Sequence, residues 1–519
     1  SPSSACHRYI TGKRIMFRIF GPPGTGKTTT LLNMVDKALE EGTPPLSIAF
    51  LAFTRKAAAE AKERAAARFK LDPKKDLFYF RTLHSLALTL SDIKPEQIMQ
   101  PENYKELSLA IGINLVSGSV SIDDDISDVL NKHDPIISLI NLARIKKNDL
   151  RDEYNHSSLE DDWNTVNFVA KSLHEYKTAL GLYDFTDMLQ SFVDDGHRFC
   201  PPFDLCFLDE AQDLSPLQWD IAHLIEQKTN RMYCAGDDDQ AIYRWAGADV
   251  DHFIKLDGPS ETLSKSYRIP SVVHGIAERI SNRIKNRYPK KYEPRTETGR
   301  YARITDVNEL DMSKESWLVL AQAGYQLQPV SADLRSNGYL FTYRGSRSIG
   351  EKISDAVNGW TDLQKGKTIT GKTARNIYSF MSVGKRITRG FKKLPALEDN
   401  DMVSLAELQI HHGLAVEEEM IWSEALDKIP DKDRAYLTSL LRRGEKFNGI
   451  PRITVSTIHG SKGGEADNVV LYTDLSTAAD AAMQINPDDM HRVFYVGVTR
   501  TRKNLYIVEP EDAHRSYDL

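Results

Sequence analysis

The 519-residue chain has few cysteines, no long apolar run and no excess of positive charge. Its four cysteines, Cys6, Cys200, Cys206 and Cys234, show neither CxxC pairing nor zinc spacing, which argues against a disulfide scaffold or a zinc fold. Cys206 and Cys234 sit in apolar runs and read as buried thiols of a reducing compartment. No stretch reaches the roughly 18 apolar residues that a membrane-spanning helix needs. The opening SPSSACHRYI has no apolar core of the secretory kind. The expected location is therefore the cytoplasm or the nucleus, with no membrane partner and no secretion. A net charge of −6 provides no global basic field, so a nucleic-acid site must come from local patches. No internal repeat points to a solenoid. What remains is an ordinary globular composition, 41% hydrophobic and 27% charged. At ~150 residues per domain, about three or four structural units are expected.

Two stretches fit the phosphate-loop pattern G-x-x-x-x-G-K-[ST]: GPPGTGKT at 21–28 and GKTITGKT at 366–373. Such a loop works when a buried strand delivers it and a helix leaves it, so that backbone N–H groups face the phosphates. The first match has this context. KRIMFRIF alternates, with Ile15, Phe17 and Ile19 on one face and Met16 and Phe20 on the other, and Leu31, Val35 and Leu39 then recur at helical spacing. Gly42 supplies a stop. Gly21, Pro22, Pro23, Gly24, Thr25, Gly26, Lys27, Thr28 and Thr29 form the expected phosphate cradle. The second match follows polar NGWTDLQK. It reads as a helix start, capped by Thr370 or Gly371, whose N-terminus is a candidate seat for a nucleic-acid phosphate.

The acidic half of a nucleotide site follows. LCFLDEAQD at 205–213 is an apolar strand ending in two acids. Asp209 suits a Mg²⁺ ion held beside Thr28, and Glu210 suits the base that orients an attacking water. YCAGDDDQAIYRWAGA at 233–248 repeats the theme, with Gln240 placed to sense a γ-phosphate.

DEAQD followed by GDDDQ-x-IYRW-x-GA resembles the UvrD/Rep/PcrA group of superfamily 1 helicases. Further stretches match in order: LAFTRKAAAEAKER, RTLHSLAL, YDFTDML, LSKSYRIP, TVSTIHGSKGGEADNVVL and FYVGVTRTRKNL. The resemblance spans roughly Gly21 to Leu505. It implies an α/β fold of two RecA-like phosphate-loop domains with mainly parallel sheets, each carrying a largely helical insertion. The expected boundaries are 1–90 with 181–258 for the first domain, 91–180 for its insertion, 259–346 with 448–519 for the second, and 347–447 for its insertion.

The resemblance also implies roles. ATP and Mg²⁺ bind between the domains. Lys27, Thr28, Asp209, Glu210, Gln212 and Gln240 come from the first domain, and the arginine fingers Arg268 and Arg500 come from the second. Tyr267 stacks on adenine and Glu465 bonds the ribose; a plain core tyrosine and, for Arg500, a surface charge are the alternatives. Single-stranded DNA meets Phe53, Thr54, Arg55, Thr82, His84, Tyr243, Trp245, Thr457 and His459, with Phe53 and His84 also readable as core residues. The implied activity is an ATP-dependent single-stranded DNA translocase and helicase moving 3′ to 5′, with a weakly unwinding, protein-displacing motor as the alternative. Single/double-strand junctions and accessory repair or replication proteins are the implied partners.

Several positions depart from the group's pattern. No Gln precedes Gly21, Ala246 stands where Arg is usual, Ser266 replaces Asn, Gly463–Gly464 loosens the closing motif, and Gln322 stands for Arg. Lys/Arg clusters at 365–376 and 383–393, interleaved with Tyr378, Phe380 and Phe391, read equally as duplex contacts or as a solvated face.

Overall fold

Apolar alternation builds the first strand. In the computed structural model, which describes residues 16–53, 55–118 and 126–519, β1 (Phe17–Phe20) sends Ile19 into one core layer beside Phe50 and Phe207. Met16 and Phe20 enter the opposite layer with Leu51, Cys206 and Cys234. Both faces are covered by helices, as a parallel sheet requires. The other strands of this sheet are β2 (Ile48–Ala52), β3 (Phe80–Thr82), β4 (Phe203–Leu208), β5 (Thr229–Gly236) and β6 (Ser260–Thr262). Their order is β3-β2-β4-β5-β1-β6, and every pairing is parallel. Cys200, Cys206 and Cys234 are buried free thiols; Cys6 and Ile15 lie outside the described residues.

A second sheet is formed by β7 (Arg300–Ile304), β8 (Trp317–Ala321), β9 (Phe341–Tyr343), β10 (Ser346–Arg347), β13 (Ile453–Thr457), β14 (Ala466–Tyr472) and β15 (Thr501–Val508). The order is β10-β9-β13-β8-β14-β15-β7, parallel except for the β9–β10 hairpin. The short β11 (Ile369–Thr370) and β12 (Met402–Val403) pair separately. The fold is thus α/β with two mainly parallel, RecA-like sheets, as the sequence implied.

The chain divides into two compact units. One runs to Glu297 and includes Ile485–Tyr495; the other comprises Thr298–Gln484 and Val496–Leu519. This division falls well after residue 259, where the boundary was expected. The reason is local: β6 adds to β1 in register, Arg18 opposite Ser260 and Phe20 opposite Thr262, so the segment after it stays with the first sheet.

Residues 91–180 are largely helical, with the helices Pro101–Ile111, Pro135–Lys146 and Trp163–Leu180 around a core of their own. Buried Asp184 ties two of them to the sheet unit, accepting from Arg144 at 2.8 Å and Lys177 at 2.5 Å. In the second unit, helical residues such as Trp360, Ile377 and Leu437 share one core with Val319 and Ile453 of the sheet. Among the described residues no helix is long and apolar enough to cross a membrane.

Candidate active site

β1 delivers the first phosphate loop. Gly21 N–H donates to the Gly236 carbonyl at 2.9 Å, which fixes the loop's exit beside β5. Gly24 and Gly26 have φ of 71° and 76°, a left-handed backbone suited to glycine. The helix Lys27–Glu40 then begins with Gly26 as its N-cap, which has no side chain to cap it, so its first N–H groups stay available to an anion.

The acids at the end of β4 meet this loop. Thr28 Oγ1 donates to Asp209 Oδ2 at 2.8 Å. Lys27 Nζ lies 2.6 Å from Glu210 Oε1 and 3.6 Å from Asp209 Oδ1. Burial works against the Lys27 charge, but Glu210 and Asp209 outweigh it and hold its ammonium above the ordinary lysine value. Burial raises Asp209 from the usual carboxylate value, against the pull of Lys27. Thr28 and Asp209 supply hard oxygen donors of the kind Mg²⁺ takes. Glu210 sits in the left-handed region at φ 57°, a strained placement that aims its carboxylate back at the loop.

Hydrogen bonds continue from there. Gln212 Nε2 donates to Glu210, and Gln212 Oε1 accepts from the Asp237 N–H at 3.0 Å. Gln240 Nε2 donates to Asp237 Oδ2 at 2.7 Å. Lys27, Thr28, Asp209, Glu210, Gln212 and Gln240 therefore form one connected polar line, as the sequence placed them.

The segment after β6 lies across the loop. Ser266 Oγ donates to the Pro23 carbonyl at 2.8 Å, and Tyr267 N–H donates to the Gly24 carbonyl at 2.8 Å. A Cβ added to Gly24 would come within 2.3 Å of the Arg268 Cβ, so only glycine admits this approach. This corrects the expectation that Arg268 comes from the second domain: it lies in the first unit, beside the phosphate loop. Ser266, noted in the sequence only as a departure, is the latch, and its hydroxyl also accepts from the Arg268 and Ile269 N–H groups. Tyr267 is 70% exposed, which removes the core-tyrosine alternative.

Arg500 belongs to the second unit and is only 2% exposed. Its guanidinium donates to the Val496 and Gly464 carbonyls at 3.0 and 3.2 Å, so it is not a solvated surface charge. Glu465 pairs with Arg502 at 3.5 Å.

The expected DNA contacts separate into two groups. Trp245 is 45% exposed, with Tyr243 at 6.4 Å between ring centroids and Phe53 a further 6.0 Å behind Tyr243. Phe53 is buried, so it supports Tyr243 from within the core. Thr82 and His84 are corrected from surface contacts to interior residues. The Thr82 hydroxyl caps the helix Leu83–Thr89, and His84 stacks on Phe185 at 3.8 Å, where burial lowers its pKa to about 3 and keeps it neutral. Thr457 ends β13 and His459 lies in the turn after it. Thr54 lies outside the described residues, and Arg55 opens the helix Arg55–Phe69. Ala246 is buried in one cluster with Ile93, Leu130, Ile145 and Phe185.

The second phosphate-loop match is a helix start. Thr370 caps the helix Gly371–Ser379 by accepting from Thr373 N–H. Gly371 and Lys372 N–H groups already donate to the Asp401 and Asp399 carbonyls at 2.8 and 3.0 Å. A Cβ on Gly371 would meet the Glu398 carbonyl oxygen at 1.9 Å. The expectation that this N-terminus seats a nucleic-acid phosphate is therefore corrected, because the chain's own carbonyls fill it. Lys372→Ala is expected to leave ATP hydrolysis unchanged, which a steady-state phosphate-release assay checks; a large loss would restore the second site.

The UvrD/REP helicase N-terminal domain matches residues 10–260, and the UvrD-like helicase C-terminal domain matches residues 452–508. The ATP-dependent DNA helicase PcrA of Leuconostoc citreum is 27% identical over 251 residues, 46% of this chain and 33% of the relative. A Bacillus subtilis (strain 168) protein, YjcD, whose given name includes ATP-dependent DNA helicase, is 24% identical over 454 residues, 79% of this chain and 55% of the relative. The chain thus spans between about a third and about half the length of these curated relatives. A solved structure described as that of the PRRSV helicase aligns at 11% identity and a TM-score of 0.32, over 97% of this chain and 54% of the other.

Proposed function

We propose that this chain, which belongs to the UvrD/Rep family of helicases, is an ATP-dependent motor that moves on single-stranded DNA and separates strands. The observation that carries the reading is the connected line from Lys27 through Asp209, Glu210 and Gln212 to Gln240, with Arg268 beside the same loop. In this reading Gly21 to Thr29 bind the phosphates of ATP, and Lys27 neutralises the charge that develops during phosphoryl transfer. Mg²⁺, held by Thr28 and Asp209, supplies further charge neutralisation at the phosphates. Glu210 orients the attacking water and receives its proton. Gln240 reads the γ-phosphate, and Arg268 and Arg500 act as arginine fingers. Tyr267, exposed next to the loop, stacks on the base, and Glu465 bonds the ribose.

The track is single-stranded DNA. Trp245 offers an exposed ring with Tyr243 and Phe53 behind it, and stacking on such rings is tolerant of sequence. Thr457 and His459 contact the strand from the second unit. The direction, 3′ to 5′, the use of single/double-strand junctions and the service of repair or replication partners are parts of the same proposal and rest on the resemblance of the sequence motifs. The Trp245 turn and Gln240 are only a few residues apart on one stretch, so a base stacking on the former reaches the phosphate sensor directly.

Mg-ATP hydrolysis with and without an unstructured single-stranded oligonucleotide tests the reading. Strong stimulation is the expected result. Good basal turnover without stimulation by DNA would overturn the DNA track, and no turnover at all would overturn the motor.

A further inference from the structure

Behind Gln240 the three acids of GDDDQ meet buried cations that the sequence motifs do not include. Asp237, Asp238 and Asp239 are all buried. They converge on the Lys290 ammonium, at 3.1, 2.6 and 2.8 Å, and the Lys290 side chain is itself buried. Arg287 grips Asp239 with two hydrogen bonds, at 2.8 and 2.6 Å. Tyr288 N–H donates to Asp238 at 2.7 Å, and Arg492 Nε donates to the Asp238 carbonyl at 2.9 Å. All of these residues belong to the first unit.

Three carboxylates surround the one ammonium, and Asp238 accepts a hydrogen bond from it at 2.6 Å. A compact point charge fits such a convergence, whereas the planar guanidinium fork does not. One of those carboxylates, Asp237, holds Gln240 with its other oxygen, and its backbone N–H holds Gln212, which in turn holds Glu210. The contacts therefore run from Lys290 through Asp237 to both polar groups that face the γ-phosphate end of the site.

We infer that Lys290 is a positioning residue: through Asp237 it fixes Gln240 and Gln212 in register with the phosphate loop. The inference rests on the ATPase reading above. It is distinguished from plain charge balance by the geometry: the Asp237 oxygen that faces Lys290 also accepts from the Asp239 N–H at 3.2 Å, and the other oxygen holds Gln240, so the cation acts on Gln240 through this one carboxylate. A cation that merely offsets the cluster's charge is dispensable once a carboxylate is removed with it.

The experiment compares Lys290→Met with the double variant Lys290→Met, Asp238→Asn. The native cluster sets three carboxylates against Lys290 and Arg287, and the double variant sets two against Arg287, so both carry one net negative charge. Thermal unfolding establishes that each variant is folded, and kcat and KM are then measured for DNA-stimulated Mg-ATP hydrolysis. The expected result for the folded double variant is a kcat lowered on the order of 10²-fold, the scale of a small misplacement, with KM little changed. In a Gln240→Ala background, Lys290→Met should add little, since the two act through one contact. A double variant with the wild-type kcat would overturn the positioning role. Failure of both variants to fold would assign Lys290 to stability alone and overturn it equally. Absence of hydrolysis by the unaltered protein would instead remove the ATPase reading, which separates the two failures.

Discussion

Lys27→Ala is expected to abolish Mg-ATP hydrolysis while single-stranded DNA binding stays measurable. Lys27 is the cation inside the loop, 2.6 Å from Glu210 and 3.6 Å from Asp209. Alanine leaves two acids facing the phosphates with no positive charge between them, so the ground state and the transition state both lose their stabilising partner. The DNA-contacting candidates Tyr243 and Trp245 lie on another turn, after Gln240. Phosphate release and fluorescence anisotropy of a labelled oligonucleotide measure the two properties separately. Normal turnover would mean that the site has been misassigned. Loss of DNA binding along with turnover would point to a damaged fold, which a melting curve would reveal.

The second large effect is expected from Arg268→Ala, a fall in turnover of roughly 10³-fold, the scale of an arginine finger, with ATP affinity changing much less. The contacts that hold the segment after β6 on the loop, Tyr267 N–H to the Gly24 carbonyl and Ser266 Oγ to the Pro23 carbonyl, do not involve the Arg268 side chain. The truncation therefore removes the guanidinium and leaves the segment seated. Single-turnover hydrolysis with a separate binding titration checks the split. A variant that lost affinity and turnover equally would make Arg268 a ground-state binding group.

Much of the first unit was legible because its signals are local. The alternation of MFRIF, the glycines of the loop and the two acids closing an apolar strand each dictate geometry within a few residues, and the structure brings them together. The departures had a different origin. Thr82 and His84 sit in a matching motif, yet a cap bond and a stacking contact with Phe185, about a hundred residues away in the chain, turn them inward. Lys290 lies in KNRYPKK, which reads as a solvated basic run. Nothing nearby distinguishes it from exposed Lys291, because its partners are some fifty residues earlier. The GKTITGKT match misleads for a related reason: a consensus records residue types, whereas the carbonyls of Asp399 and Asp401 that fill its N–H groups come from a loop the pattern does not cover. The position of Arg268 was misjudged because the short β6, which is polar, gives no sign in sequence that it extends the first sheet.

Lys27 already has its anions. On the proposed reading, nucleotide entry at this loop is an exchange, in which a phosphate competes with the protein's own Glu210 for the same ammonium. Affinity then reports the difference between two ion pairs, not the strength of one, and it is smaller than the charge of ATP alone would suggest. On the proposed reading, the displaced carboxylate is the one that orients water, so the exchange that seats the substrate also releases the base.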